Sequence, residues 1–216
     1  MGKRWIAEHI KDRYYRESKL LGYRSRAAFK LIQIQKKFKI FKPGYKVLDL
    51  CSAPGSWMQV AKEFVGTHGL VIGVDISPIT PIENTKFLKI DIFDEKIIDK
   101  IFELTGGEKF NVIISDCSPK LTGIKSLDVA RQISLVERAY EIAHLLLSKG
   151  GNFVAKFFQS NDFKNIETKI RKDFRKVFIH KPMASRKGSF EMFLIAKGFR
   201  VYNNSIHKQK HYKSKL

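Results

Sequence analysis

Cysteine is scarce in this chain, and its two copies, Cys51 and Cys117, sit far apart and outside any Cys-x-x-Cys spacing. Neither a disulfide framework nor a zinc site is therefore expected, and a reducing compartment fits. No run approaches the ~18 consecutive apolar residues of a membrane-spanning helix. The first residues also lack the apolar centre of a secretory signal, so we expect a soluble, cytoplasmic protein with no membrane partner. There is no repeat at a fixed period and no linker rich in proline, glycine or serine, which points to one domain. Acidic residues are the remaining shortage: 21 Asp and Glu stand against 41 Lys and Arg, a formal net charge of +20.

That excess is uneven. Residues 1–46 hold 14 basic and 3 acidic side chains, and residues 199–216 hold 5 and none, so the two ends carry +16 of the +20. A near-neutral centre with basic arms suits phosphate contacts that position a nucleic acid without reading its sequence. The plainer alternative is a lysine-rich solvated surface. With 44% hydrophobic content in 216 residues, the chain can bury one good core but hardly two large ones. We expect a single domain over residues 1–198, including the basic N-terminal segment, and a flexible basic tail over 199–216.

Apolar runs bounded by turn residues predict strands at 46–50, 70–74, 87–90, 111–114, 152–155, 177–180 and 192–196. Helical patterns at 56–65, 94–104, 128–147 and 162–173 alternate with them, several opening on Ser or Asp where a cap belongs. Alternation makes the sheet mostly parallel, an α/β doubly wound fold whose ligand site lies outside the carboxyl ends of the strands. Only residues 181–190 separate the last two strands, too few for a helical crossover, so they should form an antiparallel edge hairpin. Ahead of the sheet, residues 25–38 read as an amphipathic helix in which Ala27, Leu31, Ile34 and Phe38 share one stripe. Lys30 falls about 70° from the centre of that stripe, at the border of the buried face; a lysine there commonly snorkels.

Chemistry concentrates at the strand ends. Val47-Leu48-Asp49-Leu50-Cys51-Ser52-Ala53-Pro54-Gly55-Ser56-Trp57 is an apolar strand that ends in an acid and a turn of small residues, where backbone can approach a ligand closely. It lacks the Gly-x-Gly-x-x-Gly of a pyrophosphate site. Asp75 closes the second strand, where a carboxylate can accept both hydroxyls of an adenosine ribose. Asp91 closes the third and could accept from an adenine amino group. Each acid alone reads equally well as a cap or loop residue; three strands ending in Asp49, Asp75 and Asp91 form a pattern.

With these residues in view, the chain resembles the FtsJ (RrmJ) family of ribose 2′-O-methyltransferases over roughly residues 22–198. Tyr23-Arg24-Ser25-Arg26-Ala27-Ala28-Phe29-Lys30-Leu31 is similar to the family's amino-terminal helix, and Asp49 through Trp57 to its cofactor turn. Ser115-Asp116-Cys117-Ser118-Pro119 with Thr122-Gly123 is similar to the end of its fourth strand. Phe153 through Gln159 and Ser189-Phe190-Glu191-Met192-Phe193 are similar to its fifth and last strands. The resemblance implies a Rossmann-like seven-stranded fold, S-adenosyl-L-methionine as cofactor and a catalytic set of Lys30, Asp116, Lys156 and Glu191. It also implies cofactor contacts at Asp49, Ala53, Pro54, Gly55, Trp57, Asp75, Asp91 and Asp116; the basic excess before Lys46 adds expected RNA contacts at Arg24 and Arg26, and no metal is expected. Ser52 and Ser56 stand where relatives often have Ala or Gly, substitutions the turn should tolerate.

The residue types suit the reaction, because methylating a ribose needs an alcohol oxygen relieved of its proton and held in line with a methyl donor. Lys156 takes the base role from the resemblance, Asp116 orients it, and Lys30 with Glu191 sets geometry and field. An ion-pair cluster that merely closes the strand ends is the plain alternative. Two other readings stay open: a cytosine-C5 methyltransferase using Cys117, although Pro follows that Cys rather than preceding it, and a catalytically dead RNA-binding protein on the same scaffold. Within the family, the segments around Asp116 and Lys156 resemble the ribosomal RNA branch, whose target is a large-subunit uridine. The turn at Cys51 leans toward the tRNA branch, and the anticodon loop is the alternative substrate. A monomer acting on RNA or on the large ribosomal subunit, and not on DNA, is expected. If the arms grip phosphates, removing Tyr202–Leu216, which takes away four Lys and no acid, should reduce the slope of log RNA affinity against log salt by about 2 to 4. Titrating RNA at several salt concentrations checks this; an unchanged slope places the RNA site on the balanced core. Replacing Arg24 and Arg26 should act likewise, with cofactor binding barely changed.

Overall fold

The computed structural model describes residues 12–186 and 188–200; the expected basic tail and the first arm residues lie outside them. Seven strands form one sheet: β1 (Lys46–Leu50), β2 (Leu70–Asp75), β3 (Lys86–Lys89), β4 (Phe110–Ser115), β5 (Leu147–Phe158), β6 (Phe174–His180) and β7 (Glu191–Phe199). Their order is β3-β2-β1-β4-β5-β7-β6. The first five run parallel, and β7 enters antiparallel between β5 and β6. Strand order reverses between β1 and β4, which opens the ligand crevice at their carboxyl ends.

Both sheet faces are buried, as parallel strands require. Leu48, Leu50, Ile72, Val74, Ile113, Phe153 and Leu194 face one way, against α4 (Ile97–Thr105), α5 (Lys125–Leu146) and α6 (Phe163–Asp173). Val47, Val71, Val112, Ile114, Val154 and Ile195 face the other, against α2 (Ala28–Phe38) and α3 (Ser56–Val65). Alternation along β1 therefore turns Asp49 toward the α2 and α3 side.

Most differences from the sequence reading are at element ends. Helix α2 starts at Ala28 rather than 25, because the Ser25 hydroxyl accepts from the Ala27 N–H and bonds the Ser56 hydroxyl, making a turn that feeds the helix. Strand β5 is three times its expected length, since pairing continues past the apolar run on both sides, with a register shift between Phe110 and Val112. One helix was not expected: α1 (Arg13–Leu20) is capped by Asp12, whose carboxylate accepts from the N–H groups of Tyr14 and Tyr15. Arg26 pairs with the same carboxylate, and the Tyr14 ring packs 5.4 Å from that of Phe29.

Gly73 shows how tightly β2 fits beneath the turn after β1. It lies opposite Asp49, and an added Cβ would stand 2.7 Å from the Ser52 Oγ and run into the Met58 thioether. Gly73→Ala should destabilise the protein by about 1–3 kcal/mol through overpacking. Urea unfolding measures it, and an unchanged midpoint means that Met58 yields freely.

Candidate active site

The turn after β1 is built by hydrogen bonds to its neighbour strand. Ser52 N–H donates to the Val74 carbonyl at 3.0 Å and Gly55 N–H to the Ser52 carbonyl at 2.6 Å. Asp75 binds the turn directly: one oxygen accepts from Ala53 N–H at 2.9 Å and the other from Ser77 N–H at 2.8 Å. Gly55 adopts φ 105°, a conformation that favours glycine, and the Arg24 guanidinium packs close over it.

Asp49 is buried beneath this turn, at 1% exposure, and its Oδ2 has no hydrogen-bond partner among the described residues. The Ser52 hydroxyl is likewise buried and unpartnered. Burial, and then the charges of Asp116 and Asp75, push the Asp49 pKa well above the ordinary carboxylate range. Three acids thus converge on the crevice. S-adenosyl-L-methionine carries an ammonium and a sulfonium, and this donor set fits such a cation: it would satisfy Asp49 and relieve the repulsion among the acids.

Beside the cradle, the structure brings together the four residues of the expected catalytic set. Lys156, 6% exposed, donates to the Asp116 carbonyl at 2.8 Å and stands 3.0 Å from Asp116 Oδ1, an ion pair without hydrogen-bond alignment. Lys30, at the border of the α2 stripe, reaches Glu191 at 2.6 Å and lies 5.8 Å from the Phe193 ring centroid. Burial works to raise the Glu191 pKa, but the charge and hydrogen bond of Lys30, with the charge of Lys156, outweigh it and hold it below the usual value. Its stabilising contribution is therefore present above the unfolded-state pKa and is lost as pH falls through the lower folded value.

Other expected residues also make contacts within the protein. The Trp57 indole is 3% exposed and donates to the Ala27 carbonyl at 2.9 Å, so it ties α3 to the start of α2. Asp91 sits exposed beyond β3, where it accepts from Phe93 N–H at 2.9 Å. Arg24 donates to the carbonyls of Pro54 and Pro81 at 2.9 and 3.0 Å. It clamps the cofactor turn, which corrects the expectation that replacing it leaves cofactor binding unaffected. Arg26 donates to the Ala184 carbonyl at 2.6 Å besides pairing with Asp12.

The cysteines also depart from expectation. Cys51 and Cys117 form a disulfide, with Cα atoms 5.0 Å apart. Sequence separation hid this, but β1 and β4 are neighbours with Leu50 opposite Ser115, so the residues leaving both strands meet. The cysteine count therefore no longer argues for a reducing compartment. Cys117 is 1% exposed and belongs to the core cluster with Leu50, which removes it as a nucleophile for cytosine-C5 chemistry.

Two positioning residues escaped the sequence reading. Gln132, 1% exposed on α5, donates to the carbonyls of Lys156 and Cys117 at 2.8 and 3.2 Å and so fixes the ends of β5 and β4 relative to each other. Asp128, one turn earlier, accepts from Thr122 N–H, Thr122 hydroxyl and Gly123 N–H, ordering the loop after Asp116. The available signal was two polar residues on the buried stripe of α5, four apart and in line with Val136 and Ala139. Among the described residues, no group of three or more His, Cys, Asp or Glu is placed to hold a metal ion, and no helix is long and apolar enough to cross a membrane.

A Rossmann-like sheet with an antiparallel seventh strand, an acidic cradle at the strand-order reversal and a lysine-acid cluster beside it defines a methyltransferase. The FtsJ-like methyltransferase family model matches residues 23–199, and the chain belongs to that family. It is 47% identical to the ribosomal RNA large subunit methyltransferase E of Methanocaldococcus jannaschii, over 91% of this chain and 82% of that protein. Identity to the protein of the same name from Methanothermobacter thermautotrophicus is 44%, covering 93% and 95%. A crystal structure described as a ribosomal RNA methyltransferase of Plasmodium falciparum superposes with a TM-score of 0.74 at 28% identity, covering 82% of this chain and 98% of that one.

The unpaired burial of Asp49 generates a prediction of opposite signs. Its raised pKa means that stability present at low pH is lost as pH rises through the folded value. Asp49→Asn should therefore stabilise the free protein at neutral pH by about 0.5–2 kcal/mol while weakening S-adenosylmethionine binding. Thermal melts and calorimetry check both; a less stable variant that binds the cofactor normally contradicts the cradle.

Proposed function

We propose that this protein transfers a methyl group from S-adenosyl-L-methionine to a ribose 2′-hydroxyl of large-subunit ribosomal RNA, at a uridine. The observation that carries the proposal is Lys156 Nζ held at 2.8 Å from the Asp116 carbonyl and 3.0 Å from its carboxylate. Beside it the Lys30–Glu191 pair lies at the open end of the same two strands. The names of the curated relatives favour ribosomal RNA over tRNA.

Asp49, Asp75, Asp91, Asp116 and the turn Ala53-Pro54-Gly55 would hold the cofactor, which when bound supplies an electrophilic methyl group on a sulfonium. The remaining work falls to this chain. Lys156 takes the hydroxyl proton at Nζ, for which that nitrogen must carry a lone pair when the hydroxyl arrives. Asp116, whose carbonyl accepts from Nζ and whose carboxylate stands beside it, orients it toward the hydroxyl. Lys30 and Glu191 form a nearly buried pair that sets the field at Lys156. Arg24, half-buried with its guanidinium on the Pro54 and Pro81 carbonyls, and Arg26, paired with Asp12, place basic groups where RNA would approach. The proposal includes a monomer working in the cytoplasm, where an RNA substrate and the cofactor meet.

Incubating the wild type with unmodified large-subunit ribosomal RNA and radiolabelled cofactor should place label at a linkage resistant to alkali, the mark of 2′-O-methylation. Label on a base, or none, overturns the reading. Lys156→Met should nearly abolish single-turnover transfer and leave cofactor affinity within a few-fold, since the base acts only in the chemical step. A rate near wild type removes Lys156 from the base role.

A further inference from the structure

On the face of the sheet opposite Lys156, the carboxyl end of β5 opens into a cleft of about 710 Å³ that the mechanism does not use. Alternation puts it there. Lys156 and Glu191 point toward α2, whereas Phe157 and its register partner Met192 point toward α6 and line the cleft. Its floor is the Phe157–Phe163 pair, stacked with centroids 3.6 Å apart and 9° between the planes. At the rim stands Phe190, 36% exposed, its ring held edge-to-face by Phe158 at 4.6 Å. An aromatic side chain left this open costs apolar exposure to water unless something covers it.

The polar groups of the cleft are of two kinds. Gln159 and Asn161 are exposed amides, able to donate to and accept from a heterocycle edge. Lys125 and Lys164 supply cations from the starts of α5 and α6, and the one carboxylate at the lining, Glu167, is already engaged by Arg171 at 2.6 Å. The Ser160 hydroxyl is buried there with no partner among the described residues. Aromatic faces beside amides and lysines make a surface for an unstacked nucleotide. The cleft is also coupled to the catalytic cluster: Gln159 N–H donates to the Phe190 carbonyl at 3.0 Å, and the next residue, Glu191, pairs with Lys30.

We infer that this cleft is a second RNA subsite, which takes the base and phosphate of a nucleotide flanking the one whose ribose lies at Lys156. The strand crosses the open ends of β5 and β7, with the reacting ribose at Lys156 and its neighbour stacked on Phe190 at the strand ends, where the cleft opens. This rests on the proposed RNA substrate, but it is tested by binding alone.

The experiment measures the affinity of the full-length protein for two probes by fluorescence anisotropy: a short single-stranded oligouridylate and a sugar-phosphate strand of equal length without bases. The wild type should prefer the oligouridylate by about 10-fold or more, the range of one or two stacked bases. Phe190→Ala should remove most of that preference, and Phe190→Trp should keep it. Lys164→Ala should weaken both probes equally and lower the salt slope by about 0.7. In methyl-transfer assays Phe190→Ala should raise KM for RNA at least about 5-fold with kcat little changed, because stacking is binding rather than chemistry. An undiminished preference in Phe190→Ala, no preference in the wild type, or a fall in kcat alone overturns the subsite; the last means that Phe190 only positions Glu191. A wild type that prefers the oligouridylate yet methylates no RNA defeats the functional reading and leaves the subsite standing.

Discussion

The antiparallel pairing of β7 against β5 is the constraint on which the site depends. It sets Lys156 opposite Phe193 and Phe158 opposite Glu191, so that a lysine and a glutamate 35 positions apart rise on the same sheet face at the same end. Helix α2 packs over Phe193 and delivers Lys30 to Glu191, while parallel pairing of β4 with β5 brings Asp116 beside Lys156. Slipping β7 by one residue would turn Glu191 to the far face and leave Lys30 buried without a partner. Losing one member of a buried pair is far costlier than the pair is stabilising, so register and charge cluster enforce each other.

Electrostatics divide the crevice in two. On the cofactor side, Asp49 is buried with Asp116 and Asp75 as its nearest charges, an arrangement that destabilises the free protein and favours a cationic ligand. On the substrate side, two lysines answer two acids, with Gln132 holding the backbone of Lys156 and of the residue after Asp116. Asp116 belongs to both halves. The same carboxylate that helps to raise the pKa of Asp49 pairs with the amine of Lys156, so the two clusters meet at one side chain.

How much of this was legible in the sequence followed from what kind of force set each feature. Strands β1, β2 and β4 showed as apolar runs because they are buried on both faces, and the acids at their ends stood out for the same reason. Helix α1 did not show: its buried residue is Ser18, and it is held by the Asp12 cap and the Arg26 pair rather than by an apolar stripe. The cysteine pair, the Arg24 clamp and the role of Gln132 depend on which strand ends become neighbours, information that spacing along the chain does not carry. The bond of the Trp57 indole to the Ala27 carbonyl and its packing against Phe193 likewise depend on neighbours that chain spacing does not reveal.

In the proposed mechanism, Lys30, Asp116, Lys156 and Glu191 act as one unit on the ribose hydroxyl. Single-turnover methyl transfer to ribosomal RNA by Asp116→Asn, Glu191→Gln and the double variant, each saturated with cofactor, tests it most directly. Groups that share a single proton-transfer step lose most of the rate at the first removal, so the double variant should be little slower than the slower single one. Losses that multiply would show two independent contributions and contradict the account.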